Sequence, residues 1–273
     1  MSATTAGAWT KRAIALMERI ASTQGEAIST VASWSADAIA AGGFVHLYGS
    51  GHSRIAVEEM FPRYGSFPGF NPLVELSTTF HTQVVGANGQ RQAMFIERVS
   101  GLAAAIMANF AFRPTDILII FSVSGTSAVP IELAQIARSR GIRSIAVTSV
   151  AHSMAGEATG QRLLDVVDLV IDIGTPPGDA LVSIAGFDTP VGPSSTAANA
   201  VVVNGICLTV KVGTIFESSH VPLHLWLQAI HLICASKKGM SSNHLHRVLG
   251  ITLKSAWFLS HRICERSEEH TSE

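Results

Sequence analysis

Short unbroken apolar runs alternate along this chain with longer stretches in which apolar side chains recur every three to four positions. Runs at 44–48, 117–121, 143–149 and 166–173 have the length and bounding turn residues of strands buried on both faces. A further short strand is expected at 73–76. Helical spacing predicts one long helix over 8–41, with Ile14, Met17, Ile20 and Ala21 in register, and others from the loop after 48 to about Tyr64, over 91–110 and over 129–140. A last helix opens near Ala197. Gly42-Gly43 and Gly141 stop helices, and Gly65, Pro68, Gly69 and Pro72 mark a connection. The strand–helix alternation predicts an α/β fold, a three-layer αβα sandwich around a doubly wound parallel sheet.

Two of these strands empty into turns rich in hydroxyls and glycine: Gly49-Ser-Gly-His-Ser53 and Ser122-Val-Ser-Gly-Thr-Ser127. Backbone N–H groups, hydroxyls and a helix N-terminus suit one small anion. Neither turn has the lysine of a nucleotide-binding P-loop. The candidate phosphate-binding set is Gly49, Gly51, Ser53, Ser122, Ser124, Gly125, Thr126 and Ser127. The competing reading is ordinary turns whose hydroxyls cap the helices that follow. Two such turns in matching places favour one phosphate ester at the carboxyl edge of the sheet. Candidate acid–base groups are Glu58 and Glu59 just after the first turn and His52 within it. His81 and Asp179 are candidates for the rim; for His81 and Glu97, both in the segment before the second turn, a structural role is favoured over a place in a site.

Composition narrows this further. Hydrophobic residues make up 47% of 273 and charged residues 14%, which suits a large core covered on both sheet faces. The formal net charge of −1 argues against a dedicated nucleic-acid binder. No apolar run is long enough to predict a spanning helix, and the first residues lack the pattern of a signal peptide. Three cysteines, Cys207, Cys234 and Cys264, show no metal spacing. Neither a metal nor a cofactor is expected, and a reducing cytoplasm is the expected compartment.

The Ser122-x-Ser124-Gly125 turn with its hydroxyl successors, after the earlier Gly49-x-Gly51-x-Ser53 turn, resembles the sugar isomerase (SIS) domain over about residues 1–206. Gly49-Ser-Gly-His-Ser-Arg-Ile-Ala-Val-Glu-Glu-Met60 and Pro176-Pro-Gly-Asp-Ala-Leu-Val182 resemble its stand-alone subgroup related to sedoheptulose-phosphate isomerases. The resemblance implies a phosphorylated-sugar ligand, self-association as a dimer or tetramer, and aldose–ketose isomerisation through an enediol. It also implies a glutamate base on the helix after the first turn. In the resembling enzymes the acidic pair lies about one helical turn further along, a displacement of roughly 5 Å. The related isomerases draw an ionisable or amide side chain from their last helix, and residues 196–204 here carry no ionisable group. A non-catalytic phosphosugar sensor is therefore the alternative expectation.

From about Cys207 the chain changes character. Residues 210–229 and the helix-turn-helix-like 239–263 resemble a DDE-type insertion-sequence transposase. The resemblance implies a short all-α fragment over 207–265 that ends before the catalytic carboxylates. Arg266-Ser-Glu-Glu-His-Thr-Ser-Glu273 equals one translated frame of a common sequencing adapter, so 266–273 is expected to be a non-native tail. Lys237, Lys238, Arg247, Lys254 and Arg262 would be the basic residues of a DNA-binding regulator, a third reading that the fragment's truncation disfavours.

Overall fold

The computed structural model describes residues 7–61, 69–86, 89–157, 160–210, 221, 223–236 and 240–269. The chain divides into two compact units, Met1–Thr209 and Val210–Glu273.

The first unit is built on five parallel strands: β1 Val45–Gly49, β2 Phe70–Pro72, β3 Ile117–Phe121, β4 Arg143–Thr148 and β5 Leu169–Asp172. Their spatial order is β2-β1-β3-β4-β5, with Gly49 level with Phe121 and Phe121 level with Val147. The chain leaves β1 to one side for β2 and returns to the other for β3. The crevice of such a sheet therefore opens at the carboxyl ends of β1 and β3. β1 and β3 are buried along their whole length, which is why they read as unbroken apolar runs.

Helices α1 Ala8–Thr23 and α2 Gly25–Ala40 precede the sheet, and α2 packs against β1, β3 and β5. A single helix was expected here, but Gln24 leaves helical geometry at φ −110° and ψ 5° and divides it. After β1 comes a 3₁₀ turn, Gly51–Ser53, then α3 Arg54–Glu58. The expected continuation toward Tyr64 does not form over 59–61, where the chain turns after Glu58, and 62–64 lie outside the described residues. The strand expected at 73–76 forms instead at 70–72, and Pro72 fits there because β2 is an edge strand.

The helix expected over 91–110 is two helices. These are α5 Gly89–Ile96, preceded by α4 His81–Val85, and α6 Leu102–Ala108. Gly101, at φ 90°, makes the break. α7 Ala128–Ser139, α8 Val150–Ala155 and the short α9 Leu163–Val166 follow, the last ending on Val166, where the strand was expected to begin. Tyr48, Leu118, Ile120 and Ala146 form one core with Met107 of α6, Leu133 of α7 and Leu163 of α9. Fully burying such a side chain contributes about 1.5–3 kcal/mol. A two-stranded antiparallel ribbon, β6 Ala180–Val182 with β7 Val191–Pro193, leads into α10 Ser195–Val210.

The second unit contains α11 Leu223–Ala235, α12 Ser242–Leu249 and α13 Leu253–Glu269. Trp226, Ala229, Leu245, Leu249, Ala256 and Leu259 form its core. Ser241 caps α12 by accepting from the His244 N–H, and Gly250, at φ 65°, turns the chain toward α13. Among the described residues no helix is long and apolar enough to cross a membrane.

Candidate functional site

Glycine permits the first turn. A Cβ on Gly49 would lie 2.6 Å from the Ser53 carbonyl oxygen, so the chain folds back over this residue only without a side chain. Gly51 then takes φ 56°, a conformation that glycine adopts at little cost. In the second turn, Gly125 has φ 59° and its N–H donates to Ser122 Oγ at 3.2 Å. Thr126 Oγ1 donates to Ser124 Oγ at 3.3 Å. Ser127 sits at the N-cap of α7 in extended geometry, without using its hydroxyl as a cap.

Both turns open onto one cavity of about 460 Å³ in the first unit. Ser50, Gly51, His52 and Ser53 line it from the first turn, and Ser122, Ser124 and Ser127 from the second. Of the remaining residues in the expected phosphate set, Gly49, Gly125 and Thr126 are not in the lining. Gly49 and Gly125 shape the turns, and Thr126 bonds to the lining residue Ser124. Among the described residues no lysine or arginine lines the cavity, so hydroxyls and backbone amides are its resources for an anion.

The expected acid–base residues separate. His52 lines the cavity and is exposed. Glu58 pairs with Arg54 at 3.3 Å and accepts from Gln83 Nε2, and Glu59 Oε1 accepts from Asn204 Nδ2 of α10 at 3.3 Å. Neither glutamate lines the cavity. The reason is local: α3 is five residues long, and both side chains leave it toward neighbouring helices. His81 is buried behind the lining residue Gln90, with its Nε2 3.2 Å from Gln90 Oε1.

Asp179 does line the cavity, at φ 61°. Its Oδ1 accepts from the N–H groups of Ser194 (3.0 Å) and Ser195 (2.8 Å) and from Ser194 Oγ (2.9 Å). Its Oδ2 accepts from Ser195 Oγ at 2.6 Å. The carboxylate thus occupies the start of α10, and a second anion is excluded there by like charge.

Two further lining residues carry chemistry, Glu97, for which the sequence favours a structural role, and His152, which the sequence reading passed over. Glu97, taken as structural, accepts from Ser50 Oγ at 2.6 Å and from Ser127 Oγ at 3.0 Å, one hydroxyl from each turn. His152 comes from α8, where its N–H bonds to Ser149 Oγ, and its Nδ1 is buried without a hydrogen-bond partner. The signal for His152 was available, since β4 also runs into a hydroxyl-bearing turn, Thr148-Ser149. Nothing local marks Glu97, because its place depends on how α5 packs over the first turn.

At the opposite edge of the sheet, His46 Nε2 donates to Asp116 Oδ2 at 3.0 Å, and Asn71 Nδ2 donates to its Nδ1 at 2.9 Å. Burial lowers the His46 pKa, with Asp116 opposing that shift less strongly. The imidazole is therefore neutral, and the contact is a hydrogen bond rather than an ion pair.

A doubly wound parallel sheet with a hydroxyl-lined crevice at its switch point defines the general class. The chain belongs to the SIS domain family, whose model matches residues 8–149. It is 34% identical over 196 residues to a UPF0309 protein of Listeria monocytogenes, covering 71% of this chain and 77% of that one. A UPF0309 protein of Oceanobacillus iheyensis is 32% identical over 219 residues, covering 79% and 86%. A phosphoheptose isomerase from Francisella tularensis superposes with a TM-score of 0.52 at 17% identity, covering 77% of this chain and 99% of that one. That likeness establishes the shared fold.

Proposed function

We propose that this chain binds a phosphorylated sugar in the cavity between the two turns and isomerises it between aldose and ketose through an enediol. The observation that carries the reading is the convergence of eight residues from two separate strand–helix turns on one cavity. The phosphate group belongs at the second turn, where Ser122, Ser124 and Ser127 face the cavity at the start of a twelve-residue helix. The start of α10 is already occupied by Asp179, so the ligand has one polarity, with phosphate toward α7. Its sugar hydroxyls then meet His52, Gln90, His152 and Asp179.

Calorimetric titration with heptose, pentose and hexose phosphates, each paired with its unphosphorylated sugar, tests the reading. Heptoses belong in the panel because a phosphoheptose isomerase shares the fold. At least one phosphorylated sugar should bind a hundredfold or more above its free counterpart, as expected from about 3 kcal/mol of charge-assisted hydrogen bonding. Equal affinity for the free sugar would exclude a phosphate site. A second reading, a sensor that binds without turnover, is favoured by α10, which lines the cavity with Ser195 and Thr196 and no ionisable group. Product analysis of the same mixtures separates the two.

A further inference from the structure

The two carboxylates in the cavity are held in different ways. Asp179 accepts two backbone N–H groups and two hydroxyls at the start of α10, and moving it would undo that junction. Glu97 accepts only from the side chains of Ser50 and Ser127. A serine hydroxyl can rotate to another acceptor, whereas a backbone N–H cannot. Glu97 can therefore take up a proton or change a partner without disturbing the fold.

Its position is nevertheless well determined. The Glu97 carbonyl accepts from the Val129 N–H in the first turn of α7 at 2.9 Å, which ties its backbone to the helix proposed to hold the phosphate. The two serines tie its carboxylate to both turns. A group that must meet one particular carbon of a ligand anchored by its phosphate needs this kind of registration. Glu58 and Glu59, which engage Arg54, Gln83 and Asn204 away from the lining, do not have it.

We infer that Glu97 is the catalytic base of this site. The inference rests on the phosphosugar reading of the cavity. One Glu97 oxygen takes the proton from the carbon beside the ligand carbonyl. That C–H bond breaks, its electron pair becomes the enediol double bond, and the carbonyl π pair moves to oxygen. Glu97 then returns the proton to the neighbouring carbon. The proton shared by the two ligand oxygens passes through the imidazole of His52 or His152, both in the lining. No electrons leave the ligand and no co-reactant is consumed.

The test follows exchange of carbon-bound hydrogen with D₂O by NMR, for each sugar phosphate in the titration panel, together with affinity for inorganic phosphate. Glu97→Gln keeps the shape and one acceptor oxygen for the two serines, and its NH2 group can donate to the other hydroxyl once that hydroxyl rotates. It should lose a hundredfold or more in exchange, the usual worth of a general base. It should bind inorganic phosphate as well as or better than the parent, because a like charge beside Ser127 is gone. Glu97→Asp, which keeps the charge on a shorter arm, should fall between the two and serves if the glutamine variant does not fold. Exchange at the parent rate in Glu97→Gln would overturn the inference, most decisively if Glu59→Gln had lost it. So would a parent protein that binds sugar phosphates without exchanging hydrogen, or a parallel loss of phosphate affinity in Glu97→Gln. Failure of the parent to bind any sugar phosphate would remove the functional reading itself, and the inference with it.

Discussion

The two ends of the parallel sheet each carry a carboxylate that gathers hydroxyl, amide or imidazole donors from several elements, and they put it to different uses. At the amino edge, Asp116 is 1% exposed and accepts from the N–H groups of Phe44 (2.8 Å) and Arg113 (2.6 Å) and from His46 (3.0 Å). Its partners are buried or backbone-fixed, so the cluster joins β1 to the start of β3. At the carboxyl edge, Glu97 accepts two serine hydroxyls that face a cavity. The lesson is that burial and partner type, more than residue type, separate a lock from a working group. A carboxylate enclosed by fixed donors stabilises, and one held by rotatable donors beside a cavity can react.

That contrast sets the order of expected effects. Asp116→Ala should cost the most, about 3–5 kcal/mol in chemical denaturation, because it leaves two part-buried backbone N–H groups and a buried imidazole without their acceptor. A loss under 1 kcal/mol would remove the lock. At the other edge, Ser124→Ala should leave the melting temperature unchanged and weaken sugar-phosphate binding about tenfold to a hundredfold, the worth of one hydrogen bond to a charged group. Unchanged affinity would move the phosphate away from the second turn.

The amino edge should also respond to acid. His46 is held neutral, so its folded pKa lies below the ordinary 6.5 and the unfolded chain binds the extra proton first. Its stabilising contribution is complete above about pH 6.5 and is lost as pH falls toward the folded pKa. The slope from this one group can reach about 1.4 kcal/mol per pH unit. Denaturation midpoints between neutral and mildly acid pH, compared with those of His46→Gln, would isolate the contribution. A variant with the same slope would contradict it.

The smallest effect concerns a junction in neither cluster. Glu132 accepts from Ser100 Oγ (2.6 Å) and the Gly101 N–H (2.8 Å) at the start of α6. Glu132→Ala should cost about 1 kcal/mol, as for a lost helix cap, and leave binding untouched.

The fold class and part of the candidate cavity's lining were legible in the sequence. β1, β3 and β4 are continuous apolar runs because helices cover both faces of the sheet, and each turn announces itself by glycine and hydroxyls at the strand's end. Single-residue helix breaks were less visible: Gln24 is an ordinary helix residue, and Gly101 stood within an otherwise regular apolar pattern. β2 was misplaced by a few residues because its apolar content is one phenylalanine beside an asparagine and a proline. The expectation for Glu58 and Glu59 came from their place after the first turn and from the family resemblance, and neither lines the cavity. Glu97 is remote from both turns along the chain, and only tertiary packing brings it to Ser50 and Ser127.

The most direct test of the account is a crystal structure of the parent protein with a bound sugar phosphate from the titration panel. The account predicts the phosphate oxygens within hydrogen-bond reach of Ser122 and Ser124 at the start of α7, and the carbons flanking the carbonyl beside Glu97. A phosphate at the start of α10 in place of the Asp179 carboxylate, or a ligand outside the cavity, would contradict it.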